Sequence, residues 1–472
     1  MSSTVEIDAP PPVAPHPPRR GRWIEHWEPE DPEFWRRTGR RVAHRNLALS
    51  VLTEHLGFNV WILWSVVVVS LRPAGFDFTA DQLFWLIAAP NLVGAVLRVP
   101  YTFAVPRFGG RLWTVISASL LVVPCLLLVV AVRDQSTPYW FFLLAAATAG
   151  VGGGTFSSSM ANISFFFPER RKGFALGLNA AGGNIGVAVT QLAVPVVISL
   201  GGGTHLALAG LLWLPFVVAA AVCAWFRMDS LTEARADTRS YGVALRDRHT
   251  WVVSFLYVGT FGSFIGYSFV LPLLVRSTFP ELDSVPALVR LGYLAFAGAL
   301  VGSVARPLGG WLADRFGGGR VTLLTFVGMA VGAVGVVVSL GAHHFPLFLG
   351  SFVWLFVMSG AGNGATYRMI PAIFGARARR RATERGTPVD EELRAAKRQS
   401  AAVIGVAGAV GALGGFLVNQ VFRVAHVNLG SVVPAVWVFF AVYLLGAGVT
   451  WWFYLRRRLW VARAPSLAHA GV

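Results

Sequence analysis

The chain has 472 residues, of which 55% are hydrophobic and only 13% charged, and its mean hydropathy is +0.60. This composition is too apolar for an ordinary soluble protein and predicts a polytopic membrane protein. The formal charge of +17 does not indicate a nucleic-acid partner, because the basic residues lie between apolar runs, as topology signals do. Cys125 and Cys223 fall within apolar runs, which favours buried, inert thiols over a disulfide or a metal site.

The first 46 residues are predicted to form a cytoplasmic tail that is partly disordered. Residues 9–18 are rich in proline and are expected to be disordered or extended. Residues 27–46 combine aromatic and basic side chains, which suits either a segment lying against the lipid headgroups or a solvated tail. Because the tail contains no apolar run, we expect no cleavable signal peptide.

Twelve apolar segments follow, and each is long enough to cross a membrane as a helix. Most of the 40 Lys and Arg residues fall in the tails and the even-numbered loops, which predicts that both termini are cytoplasmic. A polar break at 227–249 divides the spans six and six. The sequence therefore predicts an all-α membrane protein with a six-helix bundle at 47–226, a cytoplasmic linker at 227–249, a second bundle at 250–456 and a cytoplasmic C-terminal tail at 457–472. The approximate span limits are 47–71, 82–105, 112–132, 139–166, 174–198, 205–226, 250–275, 291–313, 321–341, 346–374, 399–421 and 432–456.

One stretch occurs in both halves. VGAVLRVPYTFAVPRFGGR at 93–111 is related to VGSVARPLGGWLADRFGGGR at 301–320, so that Arg98 matches Arg306 and Arg107 matches Arg315 at a common offset of 208 residues. Nine helical residues at about 1.5 Å each place Arg98 about 13 Å from Arg107, near the middle of a hydrocarbon layer about 30 Å thick. An ionisable residue at this depth is costly and indicates a functional site.

Spans five and eleven share glycine-dense stretches, GLNAAGGNIG at 177–186 and GVAGAVGALGG at 405–415. Close helix packing explains most of these glycines, and a glycine face also lets helices slide or brings backbone close to a small ligand. The candidate gating glycines are Gly182, Gly183, Gly186, Gly408, Gly411, Gly414 and Gly415.

The predicted centre carries surplus positive charge. Arg98 and Arg306 do not deprotonate, and Glu54 is the acidic residue that falls clearly within a span. An anionic substrate is the simplest compensation, and the planar guanidinium fork suits flat oxyanions such as carboxylate or nitrate. Phe156 in span four and Phe261 in span seven fall at a similar depth. Rings above and below a planar anion would reject bulkier or tetrahedral ions, while ordinary packing explains any one ring alone.

Other polar residues lie close to this centre in the sequence-based arrangement. Tyr257 is one turn below Phe261. Asn184 and Asn179 are amides in span five that need hydrogen-bond partners; we expect Asn184 to donate to the anion and Asn179 either to do so or to join two helices. Glu54 and His55 either carry a coupled proton or form a structural pair near the cytoplasmic end of span one.

The cytoplasmic ends of spans two and eight carry similar loops. Arg107, Asp314 and Arg315 are predicted to latch helix ends there, as structural gating elements. Arg368 falls close to the cytoplasmic end of span ten, where we expect it to extend toward the headgroups.

Several of these segments resemble the NarK-type nitrate/nitrite porters of the major facilitator superfamily. The similar segments are GTFSSSMANISFFFP, ALGLNAAGGNIGV, TFGSFIGYS, LRVPY and the tail WEPEDPEFW, and the loops ending in RFGGR and DRFGGGR resemble the cytoplasmic loop motif of the superfamily. The resemblance implies that two arginines clamp the anion between two phenylalanines. The matching positions are Arg98, Arg306, Phe156 and Phe261, and further pocket positions match Tyr257 and Asn184. The chain departs from some members at Gly408, where they have serine, and in span one, which reads LTEHLGFNVW.

The sequence therefore predicts a secondary transporter that moves nitrate and nitrite across the inner membrane of a bacterium by alternating access, as a monomer and without a cofactor or metal. If no protonatable group joins the site, an empty carrier with two unpaired arginines reorients poorly, which favours nitrate/nitrite antiport. If Glu54 or His55 titrates, nitrate-proton symport follows. The alternatives are a porter for another small anion, such as a short carboxylate, and a non-transporting anion sensor. No catalytic arrangement stands out to indicate an enzyme.

Overall fold

The computed structural model describes residues 22–200, 204–232, 234, 238–284, 294–456 and 467, and these residues are almost entirely helical. Twelve long helical segments, labelled α1 to α12, correspond one to one to the predicted spans. They are α1 Pro32–Leu71, α2 Ala80–Phe108, α3 Gly110–Ala131, α4 Tyr139–Phe166, α5 Glu169–Ile198, α6 Ala207–Arg227, α7 Arg248–Thr278, α8 Ala295–Phe316, α9 Gly318–Gly341, α10 Phe345–Arg385, α11 Val389–Leu429 and α12 Val433–Leu455. A linker helix, Thr238–Arg246, lies between α6 and α7.

Eleven of these segments are long and apolar enough to cross a membrane, judged by length and composition within the described ranges. The remaining segment is α8, which has 22 residues and carries Arg306, Asp314 and Arg315. Its predicted first residues, 291–293, lie outside the described part of the chain. Arg306, which the repeat assigns to the site, is one of the charged residues that lower the mean hydropathy of α8.

Three helices exceed their predicted limits by more than ten residues each. The first begins at Pro32 and passes through a π-helical turn at Trp35–Gly39 before continuing as Arg40–Leu71, so it starts inside the predicted tail. Helices α10 and α11 have 41 residues each, and most of the predicted loop between them is helical. The turn is confined to residues 386–388, where Gly386 has a φ of 67°, a conformation that glycine adopts without a steric penalty.

Residues 22–46 pack against the protein and are called here the N-terminal strap. Trp23–Ile24 pairs in parallel with Ser230–Leu231, which is a small exception to the predicted all-α architecture. Trp27 is 4% exposed, and its ring nitrogen donates to the carbonyl oxygen of Phe165 at 3.1 Å. Trp27 and Trp35 are buried by protein, so the strap is not a free solvated tail, and contact of its exposed residues with the lipid headgroups stays a prediction. The predicted disordered residues 9–18 lie outside the described ranges.

The internal repeat is visible in how the helices pack. A Cβ added at Gly150 of α4 would lie 2.8 Å from the backbone nitrogen of Gly94 in α2. At the equivalent place in the second half, a Cβ at Gly360 of α10 would clash with the carbonyl of Gly302 in α8. The two halves therefore use the same glycine contact to bring α2 close to α4 and α8 close to α10, which supports the packing interpretation of these glycines.

The cysteines differ in their environment. Cys125 is buried, as predicted, but Cys223 is exposed. The prediction was wrong for Cys223 because an apolar run in a membrane helix has an outward face as well as a packed one, and α6 is among the less buried spans.

We expect Trp27→Ala to destabilise the protein, because it removes a buried ring that contacts Phe34 and Phe166 and leaves the Phe165 carbonyl without its donor. The loss should be about 3–5 kcal/mol in the free energy of unfolding. It can be measured as earlier loss of monodisperse protein on heating in detergent. Trp140→Ala is the matched control because Trp140 is 63% exposed. Equal thermal stability of the two variants would contradict a structural role for the strap.

Candidate functional site: two buried arginines between the halves

Arg98 lies in the middle of α2 and is fully buried. Its Nε donates to the carbonyl oxygen of Gly153 in α4 at 3.1 Å, and its Nη1 donates to the carbonyl oxygen of Gly408 in α11 at 2.8 Å. The first bond is within the N-terminal half and the second crosses to the other half. Its Nη2 has no hydrogen-bond partner within the described residues. One edge of the guanidinium therefore remains available to a ligand.

Arg306 lies at the equivalent place in α8 and is 6% exposed. Its Nη2 donates to the hydroxyl of Tyr257 at 3.4 Å, and its Nη1 has no partner among the residues that the structure describes. The guanidinium carbons of Arg98 and Arg306 lie 4.7 Å and 5.6 Å from the ring centroid of Phe156. The structure thus brings the two predicted arginines to the same aromatic ring, each with a free N–H.

The aromatic residues predicted for the site form a stack. Phe156 and Phe261 have ring centroids 6.3 Å apart and planes inclined by 26°, and Tyr257 stacks on Phe261 at 5.2 Å. Phe261 lies in a π-helical turn, Val258–Gly262, which re-aims its side chain within α7. Gly411 allows this arrangement, because a side chain there would clash with the ring of Tyr257. The aromatic stack is therefore built from both halves and depends on a glycine of α11.

The separation of the two phenylalanine rings can be compared with the space that an ion between them would need. A planar ion sandwiched between two parallel rings needs a centroid separation of about 7 Å, which is twice the contact distance of about 3.5 Å. The two centroids are 6.3 Å apart and the planes are inclined by 26°. An ion between them would therefore require the rings to part, and a tetrahedral ion would require a larger movement than a planar one.

The two amides of α5 have different surroundings. Asn184 is 1% exposed, and neither its amide nitrogen nor its oxygen has a partner within the described ranges. Asn179 instead donates to the Glu54 carboxylate at 2.6 Å and to the Ser159 hydroxyl at 2.9 Å. Asn184 keeps its predicted availability to an anion, while the structure gives Asn179 the role of holding Glu54. The spacing of residues in the sequence could not show whether Asn179 contacts the ligand or joins two helices.

Glu54 joins the centre from α1. It is 1% exposed, and one carboxylate oxygen accepts hydrogen bonds from Ser159 and Asn179, while the other has no partner in the described part of the chain. It interacts electrostatically with both Arg98 and Arg306. Gly183 makes room for it, since a Cβ there would lie 2.5 Å from Oε1. Glu54 therefore interacts electrostatically with the arginine pair and is not only a structural partner of His55.

The glycines of α5 pack against α1. The ring nitrogen Nδ1 of His55 lies 3.0 Å from the carbonyl oxygen of Gly182, so the histidine contacts α5 backbone. A Cβ at Gly186 would lie 2.5 Å from the carbonyl oxygen of His55. In α11, Gly414 contacts the α7 backbone at Gly262, and Gly415 faces Ile265. These glycines act through close helix contact.

The structure gives partners to the predicted latch residues Arg107, Asp314 and Arg315. Asp314 forms an ion pair with Arg368 of α10. Arg315 contacts the rings of its helix neighbours Trp311 and Phe316, and Arg107 contacts the ring of Phe108. Arg368 is thus held by an acidic partner on the adjacent helix, and because its side chain is half-exposed, its extension toward the headgroups stays a prediction.

Two further residues join the site that the sequence did not indicate. Ser159 donates to Glu54, and the Tyr367 ring lies 5.6 Å from the Arg306 guanidinium and 5.4 Å from the Tyr257 ring. Spans four and ten carry glycines at matching positions, Gly150, Gly152 and Gly154 with Gly360, Gly362 and Gly364, at an offset of 210 residues. At this offset Phe156 matches Thr366, the neighbour of Tyr367. The repeat could thus have indicated an aromatic contribution from α10. No metal-binding group of His, Cys, Asp and Glu occurs among the described residues.

Comparison with known proteins gives four relevant matches. A family model described as Major Facilitator Superfamily matches residues 48–418. The chain is 40% identical to the nitrate/nitrite transporter NarU of Escherichia coli (strain K12), over 92% of this chain and 96% of that protein. It is 35% identical to the probable nitrate/nitrite antiporter NarK2 of Thermus thermophilus, over 93% and 98% of the two chains. A D-xylose-proton symporter structure has a TM-score of 0.66 over 87% of this chain and 97% of its own at 14% identity, which shows the fold alone.

We expect Gly411→Ala to impair the site and Gly408→Ala to be tolerated. A Cβ at Gly411 clashes with Tyr257, whereas a Cβ at Gly408 has as its nearest neighbour the Nη1 of Arg98 at 3.9 Å, an ordinary contact distance. Anion binding, measured by quenching of tryptophan fluorescence in purified protein, should fall about tenfold or more for Gly411→Ala. Comparable binding by the two variants would show that the position of Tyr257 does not matter.

Proposed function

Because the chain belongs to the NarK-type nitrate/nitrite porter family of the Major Facilitator Superfamily, we propose that it transports nitrate and nitrite. It is a multi-pass protein of the bacterial inner membrane and a transporter, not an enzyme. The names of its relatives support the two substrates: NarU proteins of two species, at 40% and 41% identity, are nitrate/nitrite transporters.

The observation that carries the proposal is the pair of buried arginines. Arg98 and Arg306 each retain an N–H without a partner in the described residues, and both guanidinium groups contact the ring of Phe156. Nitrate offers three coplanar oxygens and one negative charge, which suits two guanidinium groups that approach from opposite halves. Binding would therefore neutralise charge and connect the halves at the same time.

Alternating access follows from the two-bundle architecture. On the outer side of the site, the halves are in contact: Trp61 of α1 packs edge-on against Phe269 of α7, and Gln191 of α5 donates to the carbonyl oxygen of Ser268 at 2.7 Å. At the centre, Arg98 bonds to Gly408 across the interface. Movement between access states would exchange these contacts for others on the cytoplasmic side, with the arginines as the shared centre.

Nitrate/nitrite antiport is the first coupling that this site supports. With Glu54 ionised, the two arginines and the carboxylate leave one net positive charge, and one bound nitrate or nitrite neutralises it. A neutral centre crosses between states more easily than a charged one. The loaded carrier then reorients and the empty one does not, which is the condition for exchange. The name of the Thermus relative supports this coupling.

Nitrate-proton symport is the second coupling, and a specific observation favours it. Glu54 is a buried carboxyl whose two oxygens face Ser159, Asn179 and Gly183, and it interacts with both arginines. The centre therefore contains a protonatable group, Glu54, which proton symport requires and anion exchange does not. Protonation of Glu54 leaves the arginines with a greater positive charge, which increases their attraction for an anion and so couples the binding of the two ligands. With both ligands bound, the centre carries the same single positive charge as the empty centre with Glu54 ionised.

A short carboxylate is the alternative substrate. Acetate shares the two coplanar oxygens of nitrate, but its methyl group needs more depth between the rings of Phe156 and Phe261, which are 6.3 Å apart. We therefore expect nitrate and nitrite to compete for binding more strongly than acetate, and acetate more strongly than the tetrahedral perchlorate. An order with acetate first would favour the carboxylate porter.

Arg98→Lys should abolish efficient transport. Lysine keeps the charge but cannot donate simultaneously to Gly153, Gly408 and an anion in the plane of a guanidinium. We expect nitrate uptake by proteoliposomes to fall about 100-fold, since two or more charge-assisted hydrogen bonds are lost. Arg368→Lys is the control, because Arg368 pairs with Asp314 and lies away from the arginine pair. Uptake close to that of the unmodified protein in Arg98→Lys, with normal membrane insertion, would refute the clamp.

Glu54→Gln separates the two couplings. Glutamine retains hydrogen bonding to Ser159 and Asn179 but carries neither a titrating proton nor a charge. Under symport, the variant should lose nitrate uptake driven by an inward proton gradient into empty vesicles while retaining nitrate binding. Under exchange, uptake by the unmodified protein requires nitrite inside the vesicles and does not respond to the gradient. Gradient-driven uptake that persists in Glu54→Gln would exclude this carboxyl from coupling.

A further inference from the structure

Helices α2 and α11 run alongside each other across the two halves, and their contact is called here the seam. At the centre, Arg98 bonds to Gly408. Further out, the Oδ1 of Asn91 lies 3.4 Å from the place that a Cβ of Gly415 would occupy, and at the outer end Asp81 pairs with Arg423. Seventeen helical residues separate Arg98 from Asp81, a distance of about 25 Å. The seam therefore extends from the arginine pair to the outer end of the bundle.

Two buried amides lie along the seam. Asn91 and Asn419 are both 0% exposed, and neither the nitrogen nor the oxygen of either amide has a hydrogen-bond partner within the described residues. Asn419 lies four residues after Gly415 and four before Arg423, so it belongs to the same face of α11. Buried amides without partners are rare in native proteins because each is costly. The amide nitrogens of Asn91 and Asn419 are two donors from which an anion on this line to Arg98 can accept hydrogen bonds.

A cavity of about 390 Å³ lies at the outer ends of α1, α2, α7 and α11. The residues that line it include Arg72, Arg276 and His426, and no acidic residue is among those described there. His426 contacts the ring of Phe84, one turn from Asp81 on α2, so the cavity adjoins the outer end of the seam. Its basic lining favours accumulation of anions from the outer solution.

The ion pair at the outer end of the seam closes it in this structure. Arg423 is held by the Asp81 carboxylate, by the Gln420 side-chain oxygen at 2.7 Å and by the face of Trp85 at 5.2 Å. A carboxylate resembles nitrate in presenting coplanar oxygens to a guanidinium. Separation of α2 from α11 would free Arg423 from Asp81 and leave it able to receive an anion in place of the carboxylate.

We propose that the seam is the outer route to the arginine pair, with Asn91 and Asn419 as an intermediate anion-binding station. An anion collects in the basic cavity, replaces Asp81 at Arg423 when the helices part, and then accepts hydrogen bonds from the two amides before it reaches Arg98. This inference rests on the proposed function, since it describes how the transported anion reaches the site. It assigns to the amide N–H groups of Asn91 and Asn419 an anion as their hydrogen-bond acceptor.

Asn91→Leu and Asn419→Leu, singly and together, test the station. Leucine has a similar volume and removes only the amide, and since the amides bond to nothing within the described residues, thermal stability should be unchanged or higher. Equilibrium nitrate binding to purified protein should stay within about twofold, because the arginine pair is intact. The initial rate of nitrate uptake in right-side-out vesicles should fall about tenfold for each amide lost, as expected for one hydrogen bond.

Two outcomes separate failure of this inference from failure of the proposed function. If the unmodified protein neither binds nor moves nitrate, the proposed function fails. If the unmodified protein transports nitrate and the double leucine variant does so at the same rate, the route along the seam is refuted. Reduced binding together with reduced stability in the leucine variants would also refute it, because the amides would then be structural.

The cavity is tested by Arg72→Gln with Arg276→Gln, measured against Arg133→Gln. Arg133 is an exposed arginine in the outer loop between α3 and α4 and does not line the cavity. Loss of the cavity arginines should raise the KM for external nitrate about tenfold at low salt with little change in maximal rate, because capture and not translocation is weakened. An equal effect of Arg133→Gln would mean that only general surface charge matters and would overturn the role of the cavity.

Discussion

The burial of two guanidinium groups at the depth of the membrane core is the constraint on which the rest of the structure depends. Neither arginine can lose its charge, so each must be satisfied by carbonyl oxygens, aromatic faces or an anion. The backbone carbonyl oxygens of Gly153 and Gly408 accept hydrogen bonds from Arg98. The glycine of α4 at this place is required by helix packing, because a Cβ at Gly153 would clash with the ring of Trp61.

The same charge explains why the acidic residue is placed as it is. Glu54 contributes a carboxylate close enough to interact with both arginines, but its hydrogen bonds go to Ser159 and Asn179 of neighbouring helices. A direct ion pair with either arginine would have occupied the N–H groups that an anion needs. By being held on α4 and α5, Glu54 can moderate the central charge while the ligand positions of Arg98 and Arg306 remain open.

The internal repeat allowed much of the site to be predicted from sequence. Arg98, Arg306 and the packing glycines follow from positions that recur at a nearly constant offset, and the apolar segments predicted all twelve helices. Contacts that break the symmetry could not be predicted in this way. Asn179 turns to Glu54, Asp314 pairs with Arg368, and Trp27 is buried, because each depends on which neighbouring helix lies within reach. Helix lengths were underestimated at α10 and α11, where polar, arginine-rich turns continue beyond the apolar run.

The pairing of Trp23–Ile24 with Ser230–Leu231 also bears on how the chain is made. During synthesis the strap emerges first, but its partner strand is more than 200 residues away and follows the sixth span. The aromatic contacts of the strap with α4 can form once the fourth span is in place, but the strand pairing cannot form until the sixth span has been made. The pairing would therefore mark completion of one half before the ribosome delivers the other.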